Sequence, residues 1–575
     1  MNKLIPTILS VFLCSFALMA TGHRVVVIPV EFSDVKFSDK AVNIDNKVIS
    51  AQIYFNDQFS PYRSFSFELL PAVRLSREQA WYGSNSTSRK DERIDQLVRD
   101  ACALVSRDLS VYDNDNDGFI DNICIICAGK SEADGYGVDC IWPQQGYLKD
   151  RGGTFNRNGK TADCFTVCPE LSGLGIFCHE FAHSFGLQDL YDTDGNSSGG
   201  QSLGLWGSLS LMDDGLNNNH CNTPPNFCAI ELEQLGIGTP IELTTGRLTL
   251  RPISSGKEYL RIDSDVENEY FLLECRDNKG WDAYIGGEGL LVYHIDKSAN
   301  NSWYSDYYKR NLSAAQRWEF NQVNCRPDHP CALVLAAVPG TDSVREVFFP
   351  QNGHSSLGSD TDPAFRFWSD ATSELIVTNI ENSTGGVSFD IIRPISINQV
   401  NVFQDAAAFN WAVDESLEAD DCELSWAPLN GGSISSGHGS SRVGKQNNGL
   451  FYYTIENLQP DVRYKAVIRV LCKDGSVHTR NLSFNTKSLQ PGIRPFIYLN
   501  FEARNEDGSF NAGERIPLRV YNAQNAVSVR WFFNDVIIFP DSDDFWQMKE
   551  SGILKARVSF SDGSSDIIVK KLTVK

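Results

Sequence analysis

The chain has 575 residues, a formal net charge of -22, and a composition that is 42% hydrophobic and 11% aromatic. At about 150 residues per domain this length accommodates three or four domains, and the apolar content excludes a largely disordered protein. The acidity argues against a partner held by broad attraction to phosphate, so no nucleic-acid partner is expected.

The N-terminus reads Met1-Asn2-Lys3, then an apolar run from Leu4 to Ala20, then Thr21-Gly22. One positive charge, a short apolar core and small residues at Ala20 and Gly22 are the layout of a secretory signal peptide over residues 1–22. The expected location is therefore extracellular, cell-surface or periplasmic. No later segment is apolar enough to span a bilayer, so no membrane span is expected. Of 15 cysteines, loss of Cys14 with the leader leaves an even number, the parity of an exported protein with disulfides. Cys164/Cys168, Cys221/Cys228 and Cys325/Cys331 are spaced to close small loops. Cys124-Ile-Ile-Cys127 has metal-site spacing but sits in an apolar strand-like run, which assigns it to the core.

Arg24 to Phe32 is β-branched and reads as a buried strand. Ile94, Leu97, Val98, Ala101, Leu104 and Val105 recur at three- and four-residue steps, the stripe of a helix. Asp113-Asn-Asp115-Asn-Asp117-Gly118-Phe-Ile-Asp121 alternates oxygen-bearing side chains and carries a glycine for a sharp bend. Asp113, Asp115, Asp117 and Asp121 are therefore candidate calcium ligands. Ile123 to Ala128 is a second strand, and Leu174 to Phe185 a helix stopped near Gly186. Alternating strands and helices give a mixed α/β (α+β) domain over residues 23–238.

The most informative stretch is Cys178-His179-Glu180-Phe181-Ala182-His183-Ser184-Phe185-Gly186-Leu187-Gln188-Asp189. Four residues apart on a helix, His179 and His183 share a face and can present imidazole nitrogens to one cation. Gly186 permits a tight turn, from which Asp189 returns as a third ligand. Three protein ligands leave a fourth position open, the signature of a catalytic zinc site in which a water becomes acidic and Glu180 acts as general base. Asp192-Thr-Asp194-Gly195-Asn196 is a weaker cation-loop candidate. Met212, in Ser210-Leu211-Met212-Asp213-Asp214-Gly215, is placed to form the methionine turn that lies beneath metzincin zinc sites. His220 and His294 lack spacing partners and read as ordinary surface or core residues.

Residues 239–394 are short strands and turns, a β-rich extension. Residues 395–490 resemble a fibronectin type III domain through Trp411, Trp426 and Leu458-Gln-Pro460-Asp-Val-Arg-Tyr464. In residues 491–575, Val527, Val529, Trp531 and Phe533 alternate, as do Leu554, Ala556, Val558 and Phe560, which reads as an immunoglobulin-like β-sandwich.

Taken together, His179–Asp192, the Met212–Gly215 turn, Tyr112–Gly118, Asp139–Pro143, Thr223-Pro-Pro225 and Gly289–Asp296 resemble the immune inhibitor A family of secreted metallopeptidases over about residues 24–394. Met212 lies six residues after Trp206, farther than is usual in that family, and Arg24 follows the leader too closely for a prodomain. The resemblance implies a metzincin-like zinc endopeptidase acting on protein or peptide substrates, extracellular or from a host. It assigns His179, His183 and Asp189 to zinc and Glu180 to the base. The C-terminal modules are expected to contact surface proteins or glycans, and the chain to be a monomer. The rival expectation is an inactive surface adhesin working through those modules.

Overall fold

The computed structural model describes residues 21–575 except 39–41, 88, 203, 300–301, 370–372, 420, 430–437, 447–448, 474, 489–494, 498–508, 522, 524–525 and 543. Most of the expected leader, and the boundary expected at 490/491, lie outside the described residues. Two compact units are present. The first comprises residues up to Ser356 with Phe367–Ser369 and Asn379–Phe389; the second comprises Leu357–Arg366, Asp370–Thr378 and Asp390–Lys575.

The first unit is built around strand β1 (Thr21–Glu31), flanked by β2 (Arg63–Leu69) and β3 (Ile123–Cys127), both parallel to it. The sheet order is β2-β1-β3-β5-β4, where β5 is Cys164–Pro169 and β4 is Gln144–Tyr147. Strand β4 runs antiparallel to β5 and forms the edge of that order. A parallel sheet needs apolar side chains on both faces. The alternation in β1 supplies them: Val25 and Val27 enter one core, Val26, Ile28 and Val30 the other.

Helix α1 (Val42–Phe59) covers the first face together with α3 (Leu174–His183). Helix α2 (Ile94–Leu104) covers the second through Ile94, Leu97, Val98 and Ala101. Periodicity in the sequence locates α2 and α3 but not α1. Ile44, Val48, Ala51, Phe55 and Phe59 of α1 are buried at helical spacing. Ile49 and Ile53 on its outer face are half exposed and blur that stripe.

Helix α3 ends two residues earlier than its apolar run predicts. Ser184, Phe185 and Gly186 donate N–H bonds to Phe181, Ala182 and His183, a tightened last turn that leads into Gly186 at φ +89°.

The core that holds α3 does not stop at residue 238. Strands β6 (Thr239–Ile241), β7 (Glu258–Asp263), β8 (Glu269–Arg276), β9 (Gly289–Asp296) and β10 (Ala332–Val334) form a five-stranded sheet in sequence order. Tyr270, Leu272, Tyr293 and Ile295 from this sheet share the core of α1 and α3. A fully buried arginine reinforces the join. Arg276 pairs with Glu274 (3.0 Å) and Asp282 (2.6 Å), and Glu274 accepts the Ala229 N–H that opens helix α4 (Ala229–Leu235).

The cysteines differ from expectation. All fourteen described cysteines are free thiols. Cys164 and Cys168 lie in one extended strand, where four residues span about 13 Å, well beyond the reach of a disulfide. Cys124 and Cys127 lie in β3 with no exposure, as core residues.

In the second unit, β11 (Ile395–Val402), β12 (Ala407–Val413) and β15 (Leu450–Ile455) make one antiparallel sheet, in the order β11-β12-β15. Strands β13 (Asp421–Pro428), β14 (Gly439–Gly444), β16 (Arg463–Leu471) and β17 (Val477–Asn485) make another, in the order β14-β13-β16-β17. Phe409, Trp411, Leu424, Phe451, Tyr464 and Ile468 from both sheets form a single core. Farther on, β18 (Ala526–Phe533), β19 (Val536–Ile538), β20 (Gly552–Phe560) and β21 (Ser565–Leu572) form a sheet in the order β19-β18-β20-β21. Trp531, Phe533, Leu554 and Ala556 are buried as the alternation predicts, but Val527 is exposed at a register irregularity between Ala526 and Ser528, and Val529 is exposed although its cross-strand partner Val558 is buried.

Candidate metal centre

Helix α3 presents His179 and His183 one turn apart, and the turn through Gly186 carries Asp189 back beside them. The Nε2 atoms of the two histidines are 3.2 Å apart, and Asp189 Oδ1 lies 3.2 Å from one and 3.3 Å from the other. A tetrahedral zinc with bonds of about 2.0–2.1 Å requires ligand–ligand edges of roughly 3.3–3.4 Å. The three donor atoms therefore have the spacing of one face of a zinc tetrahedron. Asp189 Oδ1 is buried and accepts no hydrogen bond, as expected of an atom reserved for a cation.

The surrounding backbone fixes the tautomers. His179 Nδ1 lies 2.9 Å from the Leu211 carbonyl and His183 Nδ1 lies 2.8 Å from the Leu187 carbonyl. A carbonyl oxygen only accepts, so both Nδ1 atoms carry hydrogen, and in the neutral rings the Nε2 lone pairs face the site. The turn at Met212 supplies one of these anchors. Met212 is fully buried, its neighbour Leu211 holds His179, and its own carbonyl accepts the Leu190 N–H at 2.7 Å. The turn is in turn held by Glu231, which accepts the Met212 N–H and the Ser210 hydroxyl.

Electrostatics follow from the burial of opposite charges. Burial works against an ionised Asp189, yet the two imidazoles hold its carboxyl well below the usual range. Burial would lower His179, but Asp189 and Glu180 outweigh it and raise the imidazole to about 9. Burial pushes Glu180 above the usual carboxylate range, opposed by the two histidines. Glu180 Oε2 accepts the Gln145 N–H at 2.9 Å, which fixes the carboxylate to edge strand β4.

A cavity of about 430 Å³ opens over this set. Trp142, Pro143, Ile176, His179, Glu180, Tyr191, Asp213 and Leu216 are among its lining residues. The Tyr191 ring lies nearly parallel to His179, with centroids 6.4 Å apart. Tyr191 stood inside the motif already singled out, two residues past Asp189, but only the folded turn aims it into the cavity. Sequence reasoning also missed Gln145, which acts through its backbone, and Asn321, whose amide holds Asp189.

The other candidates lie elsewhere. Asp113, Asp115 and Asp117 cluster with carboxylate oxygens within 4.8 Å of one another, and Asp121 is not part of the group. Asp121 instead accepts from Asn114. Lys160 pairs with Asp113 at 2.5 Å, and the N–H groups of Asp117 and Gly118 also donate to Asp113. Lys160 thus offsets one of the three carboxylate charges, and Asp113, Asp115 and Asp117 keep the spacing of a candidate cation site. Asp192 and Asp194 gather around Cys325. His220 is exposed, and His294 is buried against Glu269 at 2.9 Å; neither belongs to the His179, His183 and Asp189 group.

Residues 27–231 match the model of the immune inhibitor A peptidase M6 catalytic domain, which bears out over that segment the resemblance read from the motifs. The chain is 30% identical over 215 residues to the pre-pro-metalloprotease PrtV of Vibrio cholerae, covering 32% of this chain and 23% of that protein. It is 26% identical over 202 residues to immune inhibitor A of Bacillus thuringiensis subsp. alesti, covering 30% of this chain and 29% of that protein. The chain thus spans about a quarter of the length of these relatives. A fibronectin type III domain of the human collagen alpha-1(XX) chain aligns with 18% of this chain and 86% of its own length at 17% identity, with a TM-score of 0.15.

Proposed function

With the peptidase M6 match as premise, we propose that this chain is a secreted zinc-dependent endopeptidase that hydrolyses peptide bonds of extracellular or host proteins. The observation that carries the proposal is the triangle of His179 Nε2, His183 Nε2 and Asp189 Oδ1, with Glu180 lining the same cavity. When bound, zinc supplies a Lewis acid that polarises a carbonyl oxygen and lets a water lose its proton near neutral pH.

The side chains carry the remaining work. Glu180 Oε2 is committed to Gln145, so Oε1 takes the water proton and passes it to the departing amide nitrogen. The outer edge of β4 lies beside Glu180 and is unpaired within its sheet order. An extended peptide adding to that edge would bring its scissile bond over the metal triangle. Trp142, Pro143, Ile176 and Leu216 give the cleft apolar walls that exclude water.

Residues 1–22 act as the export leader in this proposal. Residues 395–490 form a fibronectin type III-like accessory. That assignment is supported by the Tyr464 hydroxyl, which accepts the Gln459 N–H at 2.9 Å in the manner of a tyrosine corner. Residues 491–575 form an immunoglobulin-like accessory.

The purified mature chain is expected to degrade casein or gelatin and to lose that activity on chelation. Glu180→Gln should retain zinc, measured by elemental analysis, and lose activity by about 10²–10⁴-fold. A Glu180→Gln protein with full proteolytic activity would refute the mechanism.

A further inference from the structure

We infer that Asn321, in the β-rich extension, positions the third metal ligand, so that the metal centre of the matched domain is completed by a segment outside it. The inference rests on the reading of His179, His183 and Asp189 as metal ligands. Asn321 is bonded to both ends of Asp189: its Oδ1 accepts the Asp189 N–H at 2.7 Å, and its Nδ2 donates to Asp189 Oδ2 at 2.7 Å. A carboxamide is suited to this pairing because it offers a donor and an acceptor on one planar group. An aspartate there would set two carboxylates against each other.

The consequence for the metal face is specific. With Oδ2 committed to Asn321, Oδ1 is the carboxylate oxygen directed at the two imidazoles, at 3.2 and 3.3 Å. The ligand is thereby oriented to offer one oxygen, and its rotation about the Cβ–Cγ bond is blocked.

The neighbouring residues grip the same loop. The Asn321 carbonyl accepts the Thr193 hydroxyl at 2.7 Å, and Asn324 Nδ2 donates to the Leu190 carbonyl at 2.7 Å. Asn324 Oδ1 in turn accepts the Ala332 N–H at 2.9 Å, which ties the grip to strand β10. These contacts reach across more than 120 residues of chain and join 189–193 to 321–325. The family match ends at residue 231, so this support is contributed by the extension and not by the domain that carries the ligands.

The test uses the full mature chain with Asn321→Gly. Asn321 has φ +55°, a conformation glycine adopts without strain, so this change removes the side-chain bonds and leaves the turn intact. Zinc affinity is measured by competition with a chromophoric chelator, ligand geometry by the absorption spectrum of the cobalt-substituted protein, and folding by the melting temperature of the metal-free chain. Asn321→Ala is measured alongside as a second removal of the amide.

The expected result is a zinc dissociation constant about 10–100-fold weaker and a shifted cobalt spectrum in a protein that still folds. Zinc affinity within twofold of the parent, with or without a lower melting temperature, would make Asn321 a turn residue only and overturn the inference. Failure of both variants to fold would overturn it as well. None of the three readouts involves peptide hydrolysis, so the result is independent of the fate of the Glu180→Gln test.

Discussion

Gly175 lies in the first turn of α3, one helical turn before His179, and has no room for a side chain. A Cβ at that position would stand 2.0 Å from the Leu216 carbonyl oxygen and 2.8 Å from the carbonyl carbon. Real Cβ contacts essentially never fall below 3.0 Å and ordinary contact begins at 3.4 Å, so Gly175→Ala forces α3 and the segment around Leu216 apart by roughly 1.0–1.4 Å. Two effects oppose each other. Alanine favours the helix by about 1 kcal/mol over glycine, whereas overpacking against backbone costs typically 1–3 kcal/mol. The net destabilisation of up to about 2 kcal/mol would lower the melting temperature of a unit this large by only about 1–3 °C. Metal affinity is the sharper readout. His179 is held by Leu211 on the far side of the opened contact, and a displacement of about 1 Å breaks donor edges of 3.2–3.3 Å. The expected outcome is at least a 10-fold loss of zinc affinity and about a 100-fold loss of activity. Chelator competition and a fluorogenic-peptide assay measure both. A Gly175→Ala protein with an equal or higher melting temperature and unchanged zinc affinity would show that the close packing of α3 does not position the ligands.

Two further predictions concern groups away from the metal. Burial pushes the Asp91 carboxyl up to about 7, with Glu132 adding to the shift and the Trp142 N–H opposing it. The folded value lies above the unfolded one, so this group costs nothing below about pH 4 and costs stability increasingly up to pH 7, where the loss reaches roughly 4 kcal/mol. Asp91→Asn should therefore gain stability over the parent between pH 5 and pH 8, read from urea midpoints; an equal difference at both pH values would refute the assignment. For the cysteines, alkylation without reductant followed by mass spectrometry should label only Cys140 and Cys221 in the native state. It should label all fourteen described cysteines in denaturant, and any pair that stays unlabelled there would be a disulfide.

The metal triangle was legible because its ligands sit within eleven residues, where helical spacing and one glycine turn determine their geometry. Asn321 was not, because an asparagine 132 residues away leaves no periodicity or spacing to read. Gln145 acts through a backbone N–H, which any residue except proline would supply. The central strands were legible because their burial on both faces demands unbroken β-branched runs. Helix α1 was hidden because exposed Ile49 and Ile53 add apolar residues to its outer face. In the C-terminal sheet, alternation identified the strands but not the register irregularity between Ala526 and Ser528 that takes Val527 out of the pattern.

Cysteine parity misled for a reason that bears on the proposed export. A bridged cysteine and a buried thiol are both small, apolar and core-seeking, so counting cannot separate them. An oxidising compartment would appear to threaten fourteen free thiols, but the reactive species is the thiolate. Burial raises the Cys102 thiol to about 12 and Cys164 to about 11, and lifts Cys124, Cys168, Cys178 and Cys228 well above the ordinary value. At pH 7 a thiol near 11 is ionised in only about one molecule in 10⁴, and its access is blocked by packing as well. Export and the twelve buried thiols are thus compatible as long as the core stays closed, whereas Cys140 and Cys221 are only partly covered. The leader expected over residues 1–22, and not the cysteines, carries the argument for the proposed compartment.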